Sequence, residues 1–181
     1  KAVRNLPASI RQRLLNASQQ RQQPFDLVLT RYGIERLLYR LSISSYADRF
    51  LLKGAMLFAV WSEGLHRPTR DVDLLGFGPS DVNELQTIFA AICGIAVEAD
   101  GLIFDAATVR AGAIREEAAY AGVRVVLVAR LANIPIHLQV DIGFGDAVTP
   151  EPEWIDFPAL LELPAPRLRA YPIYTVVAEK F

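Results

Sequence analysis

The sequence predicts an α+β fold, in which an N-terminal helical segment precedes a mixed β-sheet with flanking helices. Apolar residues in the first fifty positions recur mainly at spacings of three and four, which is typical of helices. After Gly94 the pattern changes to β-prone runs separated by short polar turns. The chain has 181 residues, of which 52% are hydrophobic. This length and hydrophobic content are sufficient for one well-buried domain.

The composition excludes a disulfide framework and favours a protein that does not enter a membrane. Cys93 is the only cysteine, so no internal disulfide can form. The longest apolar runs are interrupted by Lys53, Arg124 or Arg130, and the first residues do not follow the pattern of a signal peptide. We therefore expect a cytoplasmic protein without a membrane partner.

The formal net charge of −1 conceals an uneven distribution of charge. Residues 1–60 contain ten Lys or Arg and three acidic residues, whereas residues 61–181 contain nine and seventeen. The basic part can offer a surface to an anionic partner beside a metal-binding region. An arginine-rich, solvated helix face explains the same counts.

Two helices are expected in the first fifty residues, with a break near Gln23 and Pro24. Pro24 can open the second helix, since the first turn of a helix tolerates a missing N–H. The next segment, RFLLKGAMLFAVWSEG, predicts a short strand at residues 50–52, a tight turn at Gly54 and a helix that ends near Gly64.

A strand and an amphipathic helix are expected next, after a loop at residues 65–70. The run DVDLLGF, which starts at residue 71, has strand character. A turn at residues 79–81 then leads into a helix over about residues 81–93.

The segment after Gly94 predicts strands joined by short turns. ATVRAG is one of these strands, and a further segment lies around residues 114–120. VRVVLVAR and IPIHLQVDIGF are long β-prone runs joined by residues 131–133, which indicates a hairpin or meander. Residues 149–172 contain more than half of the eleven prolines, so we expect an extended connection over the surface, followed by the start of a helix.

These patterns divide the chain into three parts. The N-terminal helical segment covers residues 1–48, and the core with the sheet covers residues 49–148. Residues 149–181 form a proline-rich linker and the start of a C-terminal helical region.

Two carboxylates two residues apart are the first candidate for chemistry. On a strand, Asp71 and Asp73 project to the same side while Val72 faces the other. Paired carboxylates repel each other unless a cation or a proton lies between them. In a chain with ten Asp the pattern D-x-D is nevertheless expected by chance about half a time, so two solvated aspartates at a strand end are the alternative.

A third carboxylate strengthens the metal interpretation. Alternation along IPIHLQVDIGF places His137, Gln139 and Asp141 on one face of a strand. If this strand lies beside the strand of Asp71, three carboxylates converge, and oxygen ligands of this kind suit Mg²⁺. We expect structural roles for both histidines and for Cys93, because none has a partner at the spacing of zinc ligands.

The run Lys53-Gly54-Ala55 is the third feature with possible chemistry. Glycine between a strand and a helix lets the backbone approach a ligand closely, and the N–H groups of a helix start favour an anion such as phosphate. A strand-glycine-helix connection is also common as a purely structural feature.

Four sequence blocks occur in an order that is typical of one enzyme superfamily. They read LLKGAMLFAVW at 51–61, RPTRDVDLLGFG at 67–78, VDIGFGD at 140–146 and YPIYTVVAEK at 171–180. Together they resemble the AbiEii toxin family, the toxins of type IV toxin–antitoxin systems. That family is similar to the MenT toxins of mycobacteria and belongs to the nucleotidyltransferase superfamily. The resemblance implies a nucleotidyltransferase-like mixed β-sheet for residues 49–148.

The resemblance also implies catalytic roles. Asp71 and Asp73 would hold one or two Mg²⁺ ions, with Mn²⁺ as the alternative, on the triphosphate of a bound NTP. Asp141 would complete the metal site and help to deprotonate the attacking hydroxyl group. Lys180 would stabilise the negative charge that grows in the transition state.

The remaining implied residues concern nucleotide binding. Lys53, Gly54 and Ala55 would form the turn that binds the β- and γ-phosphates. Relatives commonly carry Gly or Ser in place of Ala55, so here only the backbone N–H of this residue can contact a phosphate. Thr69 lies where relatives carry a hydroxyl group that in some is a target of inhibitory phosphorylation, although a threonine that supports the turn explains it too. The family continues beyond Lys180 into a helical half with further functional residues.

We therefore expect a metal-dependent nucleotidyltransferase, the toxin of a toxin–antitoxin pair. It would transfer NMP from an NTP to an RNA acceptor, for which the resemblance implies a tRNA 3′ end. Its partner would be a cognate antitoxin protein or a kinase-like antitoxin. Two alternatives stay open: the same site acting on a small molecule of the aminoglycoside type, and an inactive binding module that keeps the fold.

Overall fold

The computed structural model describes residues 4–61, 69–115, 122–145 and 151–180, of which 179 and 180 are described as backbone only. These residues form the predicted α+β fold with a mixed, seven-stranded sheet. The helices are α1 (Leu6–Arg21), α2 (Phe25–Ser42), α3 (Phe58–Trp61), α4 (Val82–Cys93) and α5 (Ile173–Lys180). The strands are β1 (Phe50–Lys53), β2 (Asp71–Gly76), β3 (Leu102–Ile114), β4 (Gly122–Leu131), β5 (Ile134–Phe144), β6 (Glu153–Asp156) and β7 (Arg167–Ala170).

The first two helices are separated where the sequence predicts. Asn5 caps α1 by accepting a hydrogen bond from the Ala8 N–H at 3.2 Å. The helix ends at Gln22, which has a left-handed conformation with φ of 52°. Pro24 is the N-cap of α2, so the break near Gln23 and Pro24 is confirmed. Among the helices described, none is long and apolar enough to cross a bilayer.

The strand order is β3-β4-β5-β2-β1-β7-β6. Two contacts, β2 with β5 and β1 with β7, are parallel, and the other neighbours are antiparallel. β4 and β5 form the predicted hairpin, in which Ala132 has a left-handed conformation with φ of 52°. β3 contains the predicted ATVRAG strand and starts earlier, at Leu102. The expected segment around residues 114–120, like the helix end near Gly64, lies largely outside the described residues.

One face of the β4–β5 hairpin is buried and the other is open. Its buried side chains lie in the hydrophobic core, to which α2 and α4 also contribute. They are Val123, Val125, Leu127, Ala129, Leu131, Ile136, Leu138, Val140 and Ile142. On the opposite face Arg124, Val126, Arg130 and His137 are exposed. The alternation of the sequence therefore corresponds to a core side and a solvent side of this part of the sheet.

The proline-rich segment adds two strands to the sheet. β6 and β7 pair with each other, and Ala170 of β7 pairs with Leu52 of β1. Leu168 and Ala170 are at most 4% exposed, so the burial of apolar side chains holds this segment in place. The expectation of a surface connection over residues 149–172 is wrong for these strands. The division of the chain at residues 48 and 148 stays a prediction.

Buried charged side chains of α2 bind the segment between β6 and β7. Glu35 is fully buried, and its Oε1 accepts a hydrogen bond from the Leu160 N–H at 2.6 Å. Arg36 is 1% exposed and donates to the carbonyl oxygen of Pro164. Burial raises the pKa of Glu35, while the hydrogen bond from Leu160 and the charge of Arg36 act in the opposite direction.

A buried ion pair joins α2 to the residues before β3. Arg40 Nη1 lies 2.7 Å from Asp100 Oδ2, and both side chains are at most 6% exposed. The Asp100 carboxylate also accepts a hydrogen bond from the Leu102 N–H at 3.1 Å. The Tyr32 hydroxyl donates to the Asp100 carbonyl oxygen at 2.7 Å. Removal of either ionic partner would leave the other buried and unpaired.

Asp100→Ala is expected to lower the free energy of unfolding by about 3–5 kcal/mol, because Arg40 would stay buried without its counter-ion. The matched control is Asp156→Ala, since Asp156 pairs with Arg167 at 3.6 Å and these side chains are 66% and 65% exposed. Loss of this exposed pair should cost less than about 1 kcal/mol. Urea unfolding followed by circular dichroism measures both variants, and equal losses would contradict the importance of the buried pair.

Cys93 is expected to resist alkylation in the folded protein. The side chain is 7% exposed, and burial raises its pKa to about 11 from 9.0. A higher pKa means a smaller thiolate fraction, so at pH 8 the reaction with iodoacetamide should be slowed at least about 100-fold relative to the urea-unfolded chain. Mass spectrometry of timed samples measures the two rates, and comparable rates would show that the thiol is accessible.

Candidate active site

The predicted carboxylates lie on neighbouring strands. β2 and β5 run parallel, with Asp73 opposite Asp141 and Asp71 opposite Gln139. Since alternate residues of a strand share a face, Asp71, Asp73 and Asp141 lie on the same face of the sheet. The parallel contact thus brings together carboxylates from two strands that are distant in the sequence.

A basic residue flanks the two opposed aspartates on each side. Lys53 of β1 is opposite Asp73, and Arg124 of β4 is opposite Asp141. Lys53, Asp73, Asp141 and Arg124 are called the charged row below. Directly opposite residues have Cβ atoms about 4.5–5.5 Å apart, close enough for their charges to interact. The basic residues at the two ends reduce the repulsion between the aspartates in the middle.

The turn at Gly54 packs directly against Asp73. Gly54 has φ of 78° and ψ of −163°, a conformation open almost only to glycine. A Cβ atom at this position would collide with the side chain of Asp73. Glycine is therefore required here by the neighbouring carboxylate as well as by the backbone. Ala55 follows as the first residue of a short 3₁₀ turn that leads into α3.

The parallel contact between β1 and β7 places the start of α5 beside this turn. The Tyr171 N–H donates to the Leu52 carbonyl oxygen at 2.9 Å, and α5 begins two residues later. Lys53 Nζ lies 5.7 Å from the centre of the buried Tyr171 ring. Lys180 is the last residue of α5, and the position of its side chain is outside the described atoms. The sheet thus brings the helix of Lys180 to the strand of Lys53.

Arg124 binds both carboxylate oxygens of Asp141. The distances are 2.8 Å from Nε to Oδ1 and 2.9 Å from Nη2 to Oδ2. The side chains of Arg124 and Asp141 are 48% and 23% exposed. The hydrogen bond to Asp141 raises the pKa of Arg124, and the charges of Asp141 and Asp71 add to this effect. The third carboxylate is therefore paired with a cation of the protein itself.

The donor chemistry fits a hard divalent cation. Asp71 and Asp73 share one face and Asp141 adjoins Asp73, and carboxylate oxygens are the ligands that Mg²⁺ prefers. Within the described ranges, however, no three His, Cys, Asp or Glu side chains converge closely enough to hold a metal ion as they stand. The Asp141 carboxylate is instead paired with Arg124.

Thr69 and Arg70 fix the start of β2. The Thr69 hydroxyl lies 3.4 Å from the Asp71 backbone nitrogen and 3.3 Å from its carbonyl oxygen, as in a turn supported by a side chain. Arg70 pairs with Asp26 of α2 at 2.7 Å, and this hydrogen bond lowers the pKa of Asp26. These contacts position Asp71 at the first residue of the strand.

A cavity of about 350 Å³ opens beside Asp71. The residues that line it include Thr30, Arg70, Asp71, Val126, His137 and Gln139. His137, for which the sequence predicts a structural role, is exposed and borders this cavity. His66 lies outside the described residues.

A mixed sheet that carries register-matched carboxylates beside a glycine turn has the arrangement expected of the nucleotidyltransferase class. The family model described as "Nucleotidyl transferase AbiEii toxin, Type IV TA system" matches residues 36–181. The chain belongs to this family. The resemblance that the four sequence blocks indicate is therefore confirmed.

Two solved structures resemble this fold over 80% of the chain. One is JHP933 from Helicobacter pylori, with 15% sequence identity, a TM-score of 0.47 and a match over 51% of its length. The other is a candidate nucleotidyltransferase from H. pylori, with 17% identity, a TM-score of 0.45 and a match over 53% of its length. The chain thus spans about half the length of these proteins. No curated protein matches the sequence.

Arg124 is the residue of the site that the sequence motifs do not single out. The contact of Arg124 with Asp141 can be predicted from the hairpin, because two antiparallel strands place residues at equal distances from the turn opposite each other. Leu131 and Ile134 pair next to the turn, and seven residues further along each strand Arg124 pairs with Asp141. Counting from the turn would have found the contact.

Gly54→Ala is expected to lower the free energy of unfolding by about 1–3 kcal/mol, because the new Cβ atom would strain the turn and displace Asp73. Gly112→Ala is the matched control, since nothing lies within 4 Å of a Cβ atom built there. That change should stay within about 0.5 kcal/mol of the wild type. Chemical unfolding of the two variants measures the difference. A Gly54→Ala protein as stable as Gly112→Ala would contradict the close packing of the turn on Asp73.

Proposed function

We propose that this chain carries the catalytic core of a metal-dependent nucleotidyltransferase that transfers NMP from an NTP to RNA, with the 3′ end of tRNA as the acceptor. The proposal makes it the toxin of a type IV pair that acts in the cytoplasm and is held inactive by an antitoxin. The membership of the AbiEii family supports the reaction class.

One observation carries the proposal more than any other. The register of β2 with β5 sets Asp73 opposite Asp141, with Asp71 two residues away on the same face. The three carboxylates outnumber Lys53 and Arg124, the two basic residues opposite them, so a bound cation would offset the remaining repulsion. This excess of negative charge favours a ligand that is itself positively charged or carries cations.

The proposal assigns metal binding and phosphate binding to different residues of the chain. Asp71 and Asp73 would hold the divalent cation, with Asp141 completing the site. Lys53 and the turn at Gly54 and Ala55 would bind the β- and γ-phosphates. When bound, the cation would neutralise charge on the triphosphate and polarise the α-phosphorus.

The reaction is an in-line displacement at the α-phosphorus. The oxygen of the acceptor hydroxyl forms a bond to this phosphorus, while the bond from phosphorus to the oxygen that bridges to the β-phosphate breaks. Pyrophosphate leaves, and Asp141 accepts the proton of the acceptor hydroxyl. Lys180 would stabilise the charge that develops on the leaving group. Positioning and charge neutralisation supply most of the rate in such reactions.

The surface charge of α1 supports an RNA acceptor. Arg11, Arg13 and Arg21 are exposed, as is Arg4 just before the helix, and α1 contains no acidic residue. Exposed arginines attract a phosphate backbone whatever the sequence of the nucleic acid. A small cationic acceptor would gain nothing from this surface.

Asp71→Asn and Asp73→Asn are each expected to lower transfer at least about 100-fold in the full-length protein, because the cation would lose a ligand. The assay incubates the protein with Mg²⁺, tRNA and each of the four NTPs in turn. Label in the α-phosphate should appear on the RNA, and label in the γ-phosphate should not. Oxidation of the tRNA 3′ end with periodate should abolish the signal. Asp156→Asn, an exposed aspartate on β6, is the control and should stay within about twofold of the wild type.

Three results would count against the proposal. Full transfer by Asp71→Asn would remove the assigned metal site. Label on an aminoglycoside but not on RNA would favour the small-molecule alternative. No transfer, together with no NTP or Mg²⁺ binding by calorimetry, would favour an inactive binding module.

A further inference from the structure

The ion pair between Arg124 and Asp141 is not needed to stabilise the fold. Arg124 is 48% exposed and Asp141 is 23% exposed, and exposed pairs contribute little to folding. Its geometry is nevertheless that of a specific contact, since both nitrogen–oxygen distances are below 3 Å and both carboxylate oxygens are used. The pair therefore calls for an explanation other than stability.

The contact occupies the atoms that a metal ion would need. A carboxylate binds a cation through the same oxygen lone pairs that accept hydrogen bonds from a guanidinium group. Arg124 uses Oδ1 and Oδ2 of Asp141 together, and no group of three acidic side chains in the described residues is arranged for a metal. Arg124 and a divalent cation therefore compete for Asp141.

We propose that Arg124 is a positioning residue that holds the Asp141 carboxylate and so weakens the binding of a free divalent cation to the site. This inference rests on the proposed function, because it concerns the same metal site. Binding of the nucleotide changes the competition between Arg124 and the cation for Asp141. A triphosphate offers the guanidinium group another anionic partner, since Arg binds phosphate as well as carboxylate through two hydrogen bonds. Asp141 is therefore more available to the cation when the nucleotide is present.

The consequence is a site that binds metal ions more weakly in the absence of substrate than in its presence. Binding of the nucleotide and binding of the cation favour each other, because each ligand that binds breaks the Arg124–Asp141 pair and the other ligand then does not have to break it. The charged row is well suited to this coupling. Lys53 and Arg124 stand at its ends and the two aspartates stand between them, so a ligand at one end changes the charge balance of the whole row.

The test measures the affinity of the full-length protein for Mn²⁺ alone by electron paramagnetic resonance, in which the signal of free Mn²⁺ decreases on binding. Arg124→Gln is expected to bind Mn²⁺ about fivefold more tightly than the wild type, since the competitor for Asp141 is gone. Arg130→Gln is the matched control. Arg130 is exposed on the same face of β4, about 20 Å further along the strand, and its loss should change the affinity by less than about twofold.

A double variant separates the ion pair from general charge. If Arg124 acts through Asp141, then adding Arg124→Gln to Asp141→Asn should change the Mn²⁺ affinity by less than about twofold. An equal gain in both backgrounds would overturn the inference, as would equal gains from Arg124→Gln and Arg130→Gln. In the transfer assay, Arg124→Gln should lower the Mg²⁺ concentration for half-maximal rate and raise the KM for NTP. Unfolding midpoints of all variants check that they are folded.

The two proposals can fail separately. If the wild type binds Mn²⁺, Asp73→Asn loses this binding and Arg124→Gln leaves it unchanged, the metal site stands and the role of Arg124 is overturned. If none of the variants binds Mn²⁺ and the wild type transfers no label, both proposals are overturned.

Discussion

The parallel pairing of β2 with β5 sets the position of every carboxylate in the site. Val72, Leu74, Val140 and Ile142 alternate with the site residues and are at most 1% exposed. A slip of β2 by one residue would move Val72 and Leu74 from the core to the solvent and turn Asp71 and Asp73 inwards. Full burial of one such side chain contributes about 1.5–3 kcal/mol, so the slip would cost several kcal/mol. The hydrophobic core thus holds the repelling charges in place.

A second parallel contact connects the two ends of the site. β1 leads into the Gly54 turn and β7 leads into α5, and because these strands run side by side in the same direction, the turn and the helix start at one edge of the sheet. The segment that precedes β7 is bound to α2 through Glu35 and Arg36. Packing on the N-terminal helices therefore helps to position the strand that leads into α5. Buried residues of the helical segment, the sheet and the C-terminal block contribute to the same hydrophobic core in the described residues.

Electrostatic balance is the third element of the site. Its acidic residues are exposed or partly exposed, and basic residues stand at both ends of the charged row. Buried charges elsewhere, such as Arg40 and Asp100, are paired for stability because an unpaired buried charge is costly. Pairs in the site are solvated and can exchange partners at little cost. The two kinds of pair therefore differ in burial and in what their loss would cost.

The amino-acid sequence by itself determined the local features. Helical spacing, the break at Pro24, the strand that starts at Asp71 and the β4–β5 hairpin all depend on neighbouring residues, and even the contact of Arg124 with Asp141 follows from the position of the hairpin turn. The tertiary structure alone decided that β2 lies beside β5 and that β6 and β7 join the sheet instead of forming a surface connection. Parallel neighbours are joined by long connections, so no local turn specifies their pairing. It is specified by the apolar surface that the whole sheet buries, which no short stretch of sequence contains.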